Sequence, residues 1–458
     1  MPKDLRTFLK KIEEENPELL LRIKDKVNPT KFEITALLNL LEKKGEEKIV
    51  LFEKALTLDG KNYSPFLINV FSTRGLCALA LDLPLENQYM ELVEEFAKRE
   101  NSMGSIEFIE ESEAPCKQII WDKEAADLWK LPIPMHHEKD VAPYLTMTCI
   151  MKGFDNDFYD ITFTKNMVKS SQKVSVSAHP HHHLEGILTE YEKVNKSTPM
   201  IIILGHHPAF YLSSCSLTPL GNNDYLTASA FLKEPLRLTP SHTWGNKFLV
   251  PADAEIVVEA EIPPGIRETQ NPFGEIAGYY QPEMLMPIAE VRAITMREGA
   301  IMQGVFPGHP EHWILGGIPK EGSIYNMIKK NIPGLKAVHM PNSGCGRFSC
   351  YISLKKEFEN EPRKAAMTAF TEMPNLKMAV VVDEDVNVFD EQEVLWAIVT
   401  RTHWDKDIEV IKKIQTFRPW LGDAVIIIDA TRPNNVGFPE KNEIPKEALE
   451  KAKKRWGL

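Results

Sequence analysis

The 458-residue sequence contains no Cys-x-x-Cys pair, and its six cysteines (Cys77, Cys116, Cys149, Cys215, Cys345, Cys350) are scattered. That spacing gives neither a zinc ribbon nor a disulfide framework. Basic residues form no run longer than a few positions, and the formal net charge is −11. Such a balance argues against non-specific nucleic-acid binding and against an anionic membrane surface. No stretch approaches the roughly 20 apolar residues of a membrane span. The first residues, Met1-Pro-Lys-Asp-Leu-Arg-Thr-Phe8, are charged and lack an apolar signal core. A cytoplasmic location with free thiols is therefore expected, with no nucleic-acid and no membrane partner. Common catalytic motifs are missing too: there is no Gly-x-Ser-x-Gly elbow, no Walker loop and no Gly-x-Gly-x-x-Gly. Ser343-Gly-Cys-Gly-Arg347 is glycine-rich but lacks the Lys-Ser/Thr of a phosphate loop. It reads as a turn between strands, with Cys345 a weak nucleophile candidate.

What is present is the composition of an ordinary globular chain, 43% hydrophobic and 26% charged. The length predicts two or three domains. Leu5, Phe8, Leu9 and Ile12 recur at helical spacing, and a helix is expected over 3–26. Further helices are expected over 31–44, 75–82 and 85–99, with strands at 48–53 and 65–71. From about 115 to 305 the pattern changes to short apolar runs broken by Gly, Pro and Asn-Asp clusters. Leu145–Met151, Lys173–Ala178, Met200–Gly205 and Glu290–Arg297 read as strands, several alternating at period two. One helix, 224–233, interrupts them. Many short strands with few helices suggest a barrel or sandwich. Helices and strands then alternate again: helices at 324–331, 391–400 and 445–455, and buried strands at 378–383 and 424–429. No internal repeat or low-complexity tract is visible.

Two stretches could carry chemistry. In Glu268-Thr-Gln-Asn-Pro-Phe-Gly-Glu-Ile-Ala-Gly-Tyr-Tyr280, a Pro-Phe-Gly turn sets Glu275 beside aromatic rings. A carboxyl in such surroundings has a raised pKa and suits proton delivery near neutral pH. The plainer alternative is a surface turn with an incidental Glu. Ser177-Ala-His-Pro-His-His-His-Leu-Glu185 holds four histidines, His179, His181, His182 and His183. Imidazole is the commonest transition-metal ligand, although a polar loop is an equal reading and the run alone selects no ligand. Asp160 and Lys165, an odd number apart in an alternating run, are expected on opposite faces of a strand. Asp224 opens a helix, where an N-cap is the simplest role. Phe306, His309, His312 and Trp313 could line a pocket or pack a junction.

The order of several stretches resembles the UbiD-type decarboxylases over nearly the whole length. They are Pro65–Arg74, Val250–Glu259, Pro272–Tyr279, Pro333–Pro341, Val382–Val388, Leu395–Arg401 and Ile428–Thr431. The resemblance implies an α+β multidomain fold. An N-terminal α/β domain (1–112) leads to a central split β-barrel of flavin-reductase type (113–308) that binds prenylated FMN and metal. A hinge (309–322) and a C-terminal α/β domain with a terminal oligomerisation helix (323–458) follow. It implies prenylated FMN held through a divalent metal, usually Mn2+, with K+ nearby. The metal ligands carry over to Asp160, His183 and Asp224, in the places of Asn, His and Glu. A shift of the register by one or two residues would replace His183 by His182 or His181.

The family's catalytic Arg carries over to Lys165, its first Glu to Gln270 and its second, the proton donor, to Glu275. Lysine anchors an anion as a point charge without the bidentate fork of arginine. Gln270 hydrogen-bonds but carries no charge, and Glu268, two residues earlier, could stand in part for it. The implied activity is reversible, non-oxidative decarboxylation or carboxylation of a small aromatic or α,β-unsaturated acid, with CO2, through a covalent cofactor adduct. A flavin prenyltransferase would supply the cofactor. A homo-oligomer, dimer or hexamer, is implied, or a place in a hetero-complex. The loss of the Arg and its Glu partner together also allows an altered subunit with a structural or cofactor-binding role in a multi-subunit aromatic carboxylase.

Overall fold

The computed structural model describes residues 2–180, 182–270, 272–414, 419–434, 437–442 and 444–457. The N-terminal periodicity buries Leu5, Phe8, Leu9 and Ile12 on one face of the helix Leu5–Glu15. A capping box starts it: the Asp4 carboxylate accepts the Thr7 amide at 2.7 Å, and the Thr7 hydroxyl accepts the Asp4 amide at 2.9 Å. The helix does not run on to residue 26 as expected. Asn16 precedes Pro17, and that position disfavours helical backbone. Leu20–Val27 is instead a strand, parallel to Ile49–Leu56. The helix expected from Leu85 starts only at Met90, because the Gln88 carbonyl is turned to Arg74 Nε at 2.7 Å.

The middle of the chain closes a barrel of six antiparallel strands. In ring order they are Ile256–Ile262, Thr198–Ile203, Tyr144–Lys152, Tyr159–Ser170, Lys173–Val176 and Met284–Met296, and the last pairs back to the first. Closure leaves these strands no open edge. Tyr144–Met151 is buried on both faces, as fits a strand between barrel interior and outer layer. Two helices join the one expected in this region. Leu184, Ile187, Leu188 and Tyr191 bury one side of His183–Lys193 at helical spacing, a period masked by the preceding histidine run. Pro208–Ser213 is the second.

The barrel is not separate from what precedes it. Its exit strand, Met302–Gln303, pairs in parallel with Tyr63–Ile68 as the fourth strand of the N-terminal sheet, and one hydrophobic core runs through both. The C-terminal region has its own five-stranded sheet, ordered Leu335–His339, Ser349–Leu354, Met378–Asp383, Val425–Ala430, Ile408–Ile411, with separate cores on its faces. Residues 309–322, expected as a hinge, lie mostly within one long helix, Pro310–Asn331, which contains Pro319 and therefore lacks one internal hydrogen bond. Ser343–Arg347 forms the expected turn, with Cys345 in the left-handed region at φ 54°. Among the described residues, no helix is long and apolar enough to cross a membrane.

One buried carboxylate joins the parts. Glu321, on the long helix, receives Arg74 Nη1 at 2.8 Å, His339 Nδ1 at 2.8 Å and the Met340 amide at 2.9 Å. Burial alone would raise its pKa, but the Arg74 charge and the His339 ring bring it down to about 2. Removing one partner of such a pair typically costs about 3–5 kcal/mol. Glu321→Ala is expected to lower the urea midpoint of the whole chain accordingly. Because the folded pKa lies below the ordinary 4.5, the contribution is complete above that value and is lost as pH falls toward 2. Unfolding midpoints measured between pH 6 and 3 should fall in wild type and stay flatter in Glu321→Ala.

Candidate active site

Glu275 sits at the tip of a short hairpin built from the strand pair Phe273–Gly274 and Tyr280–Gln281. The tip is closed by Glu275 N–H to Tyr279 O at 2.9 Å and Gly278 N–H to Glu275 O at 3.0 Å. Gly278 supplies the required left-handed residue, φ 74°. Two outside contacts fix the hairpin. Buried Asp140 accepts the Gly274 amide at 3.1 Å and the amides of His136 and His137 at 3.2 and 2.9 Å. The Trp313 indole donates to Ile276 O at 2.7 Å. Behind the tip, Phe306 stacks on His309 with centroids 3.6 Å apart, and His309 Nδ1 pairs with Glu42 at 2.6 Å. Two of the four residues considered for a pocket wall, Phe306 and His309, thus pack the junction, and Trp313 braces the hairpin.

Lys165 reaches Glu275 from the strand Tyr159–Ser170. Its Nζ lies 3.2 Å from Glu275 Oε1 and 5.3 Å from the Phe273 ring centroid. Gln270 is buried nearby. It accepts the Ser177 hydroxyl at 3.1 Å, and its amide nitrogen has no hydrogen-bond partner among the described residues. Glu268 does not join this group. Lys173 and Lys169 hold its carboxylate at 2.9 and 3.2 Å, and those bonds lower its pKa.

The three other acid and imidazole candidates gather near the start of the same strand, where Asp160 meets His183 and Asp224, each the first residue of a helix. The register opposite Tyr144–Lys152 is unbroken, with Asp160 facing Met151 and Lys165 facing Thr146, so the two residues point to opposite sides as expected. His183 Nδ1 is 2.8 Å from Asp160 Oδ1, and the Thr162 hydroxyl donates to the other oxygen. Asp224 accepts the Ile161 amide and the Thr218 hydroxyl, each at 2.9 Å. It is the first residue of its helix, and Asn223 provides the N-cap instead. Burial, with the Asp160 charge second, pushes Asp224 up to about 7, and the bond to Asp160 raises His183. Two buried carboxylates beside an imidazole make a donor set that suits a hard or borderline divalent cation. Among the described residues, no three such side chains already converge as a metal cage. His179 and His182 line the neighbouring cavity instead, and His181 lies outside the described residues.

That cavity measures about 570 Å³, the size of a ligand site. Lys165, Glu275, Ser177, Phe273 and His312 face it, and Arg347 and Trp420 reach it from the C-terminal region. Cys345 is not among its lining residues.

Comparison with known proteins decides the family. Three models match in order: the 3-octaprenyl-4-hydroxybenzoate carboxy-lyase N-terminal domain over residues 13–96, its Rift-related domain over 107–310 and its C-terminal domain over 313–419. The chain belongs to the UbiD family of carboxy-lyases. The UbiD-class enzyme HmfF from Pelotomaculum thermopropionicum, solved in complex with FMN, is 31% identical over 98% of both chains, with a TM-score of 0.89. An evolved dimeric form of HmfF in complex with prFMN gives 0.87 over the same span. The chain is also 28% identical over 410 residues to an anhydromevalonate phosphate decarboxylase of Methanothermobacter thermautotrophicus, covering 89% of this chain and 90% of that one. A phenolic acid decarboxylase of Sedimentibacter hydroxybenzoicus is 28% identical over 454 residues, covering 94% and 92%.

Sequence reasoning missed Asp140 and Arg347 in this UbiD-family chain. Asp140 lies in no stretch with a recognisable pattern, Arg347 closes the glycine-rich turn Ser343–Arg347, which reads from the sequence only as a turn, and each reaches the site through tertiary packing. Asp140→Ala leaves three amides without their acceptor, at about 1–3 kcal/mol for each that stays buried. Amide exchange at Gly274 and Glu275, followed by mass spectrometry, should accelerate at least tenfold, while the C-terminal sheet exchanges as before.

Proposed function

We propose that this carboxy-lyase reversibly decarboxylates a small aromatic or α,β-unsaturated acid, with Lys165 as carboxylate anchor and Glu275 as proton donor. The observation that carries the reading is the Lys165–Glu275 pair at 3.2 Å on the cavity wall. The substrate carboxylate docks on the Lys165 ammonium as on a point charge. Carbon dioxide leaves, and its bonding electron pair stays on the substrate carbon. Glu275, protonated, delivers its proton to that carbon, and the adjacent ammonium stabilises the carboxylate that forms. In the carboxylation direction Glu275 takes the proton back. Gln270 and Ser177 fix the floor beneath the pair without exchanging protons. Phe273 and the hairpin backbone keep water from the reacting atoms.

Prenylated FMN, found in the related HmfF, would supply an electron sink for this chemistry when bound. The cavity volume suits a flavin with a small acid. Asp160, His183 and Asp224 would hold Mn2+ or another divalent ion beside the cofactor phosphate, with K+ close by. Binding would turn His183 from its Asp160 partner and relieve the repulsion between the two acids. A flavin prenyltransferase supplies the cofactor. The terminal helix Lys446–Trp456 has no buried residue among those described, and its exposed Leu449 and Trp456 suit a homo-oligomer contact.

Gln270 favours a second reading. With an uncharged amide where the family has an acid, the chain fits a structural or cofactor-binding subunit whose turnover depends on a partner in a larger carboxylase complex.

Co-expression with a flavin prenyltransferase and purification without oxygen test both. Expected are bound prenylated flavin, about one divalent ion per site, and proton–deuterium exchange on aromatic acids that Glu275→Gln reduces at least 100-fold. Lys165→Ala should raise KM or abolish turnover with flavin content intact; loss of flavin would place Lys165 at the cofactor instead. Asp160→Ala should lower metal and flavin content together. Bound cofactor with turnover only after a partner is added selects the second reading. A chain that takes up neither flavin nor metal overturns both.

A further inference from the structure

Glu275 hangs on a hairpin with only two residues in each strand, Phe273–Gly274 and Tyr280–Gln281. A two-stranded hairpin is at best marginally stable by itself, so its position depends on what grips it. His137 touches both strands. Its imidazole lies against the α-carbon of Gly274, where a Cβ would overlap the ring. It also meets the Tyr280 ring edge-on, with centroids 6.2 Å apart. Two residues on, the Lys139 amide donates to the Tyr280 hydroxyl at 3.1 Å. The His137 ring further stacks on Phe306 and His309, at 5.5 and 5.9 Å with interplanar angles of 29° and 17°. His309 is held in turn by Glu42 of the helix Glu33–Lys44. A row of rings thus runs from the N-terminal region to the residue before Glu275. The neighbouring imidazoles are neutral at pH 7: burial draws His136 down to about 3, and burial lowers His309 against the opposing Glu42. His137 Nδ1 is buried without a hydrogen bond among the described residues, and the Asp140 carboxylate stays 3.7 Å away. The ring therefore acts by shape and contact.

We propose that His137 is a positioning residue for Glu275. Its ring, held by Phe306 and the Glu42-paired His309, stops the hairpin from sliding sideways at Gly274 and so keeps the proton donor on target. This rests on the proposed function above for the role of Glu275. Lys165 does not depend on the brace, because it stands on the barrel strand Tyr159–Ser170, paired without a break to Tyr144–Lys152. A loosened hairpin leaves the carboxylate anchor in place and disturbs the proton step alone. Misplacement by about 1 Å can cost on the order of 100-fold in rate, so a modest shift registers in kcat.

Two measurements test this: proton–deuterium exchange on aromatic acids by the flavin-loaded protein, purified without oxygen, and amide exchange followed by mass spectrometry. His137→Ala should lower kcat about tenfold or more and leave KM within about twofold, the mark of a contact that matters only in the proton step. Flavin content should stay intact. Amide exchange at Gly274 and Glu275 should accelerate, while Tyr144–Lys152 exchanges as before. His137→Phe keeps a ring and drops both nitrogens, and should restore kcat to within about threefold of wild type. Gly274→Ala claims the space of the ring from the other side and should act like His137→Ala, with the double variant no worse than either single one. Because Gly274→Ala retains His137, it decides the matter even if His137→Ala does not fold. Unchanged kcat in both variants overturns the proposal, as does a loss carried by KM. So does a His137→Phe variant as slow as His137→Ala, which would give the role to the ring nitrogens. Exchange that survives in Glu275→Gln overturns the donor assignment instead, and the amide exchange still reports, without turnover, whether His137 braces the hairpin.

Discussion

Every backbone group of the strand Met284–Met296 needs a partner, because the strand lies inside a closed ring rather than at its edge. It meets that demand with four different neighbours along its 13 residues: Arg267–Gln270, Lys173–Val176, Ile256–Ile262 and Ile119–Asp122. The pairing closes the barrel and sets where the chain enters and leaves the Glu275 hairpin. Gln270 is fixed opposite Met284, and the hairpin projects beyond the last paired residues. A one-residue slip would turn Gln270 and Glu268 to the other face. The placement of Glu275 against Lys165 therefore follows from ring closure, refined by Asp140 and Trp313.

Much of the fold was legible in the residues. The strands at Met200–Ile203 and Met378–Val382 announce themselves by unbroken apolar runs, since burial on both faces leaves no polar alternation to confuse, and Leu145–Met151 shows itself by the alternation of Thr146 and Thr148 with apolar residues. The helix Leu5–Glu15 follows from its stripe. Its extension through residue 26 failed because Leu20, Leu21 and Ile23 continue an apolar pattern that suits either period, and Pro17 had to arbitrate. The helix His183–Lys193 was hidden for the opposite reason: a conspicuous polar run drew the eye from the ordinary helical stripe behind it.

The site was legible in part. Glu275 could be singled out as a candidate because a Pro-Phe-Gly turn is a local signal, whereas Asp160 and His183 were reached only through the family resemblance, with His182 and His181 as alternatives to His183. The structure brings Lys165 to Glu275 and Asp160 to His183, and it leaves Glu268 among lysines. Asp140 carried no signal, since an acid that caps a hairpin 134 residues away has no local pattern. Lys165 and Glu275 pair at 3.2 Å, and Gln270, buried beside Ser177, adds a neutral amide rather than another charge to that wall.

The Arg347 guanidinium rests on Gly316, where a Cβ would overlap it, and so links two positions that lie 31 residues apart in sequence. A methyl group at 316 and a guanidinium from 347 claim the same space, so one excludes the other. Gly346 is bound in as well, because its left-handed backbone at φ 59° and its approach to the Trp313 carbonyl leave no room for a side chain. Natural variation should respect this: a relative that carries a larger residue at 316 should have given up arginine at 347, and with it the shape of that end of the cavity. Divergence here would thus come in correlated steps, with intermediate sequences that keep one change and not the other under-represented.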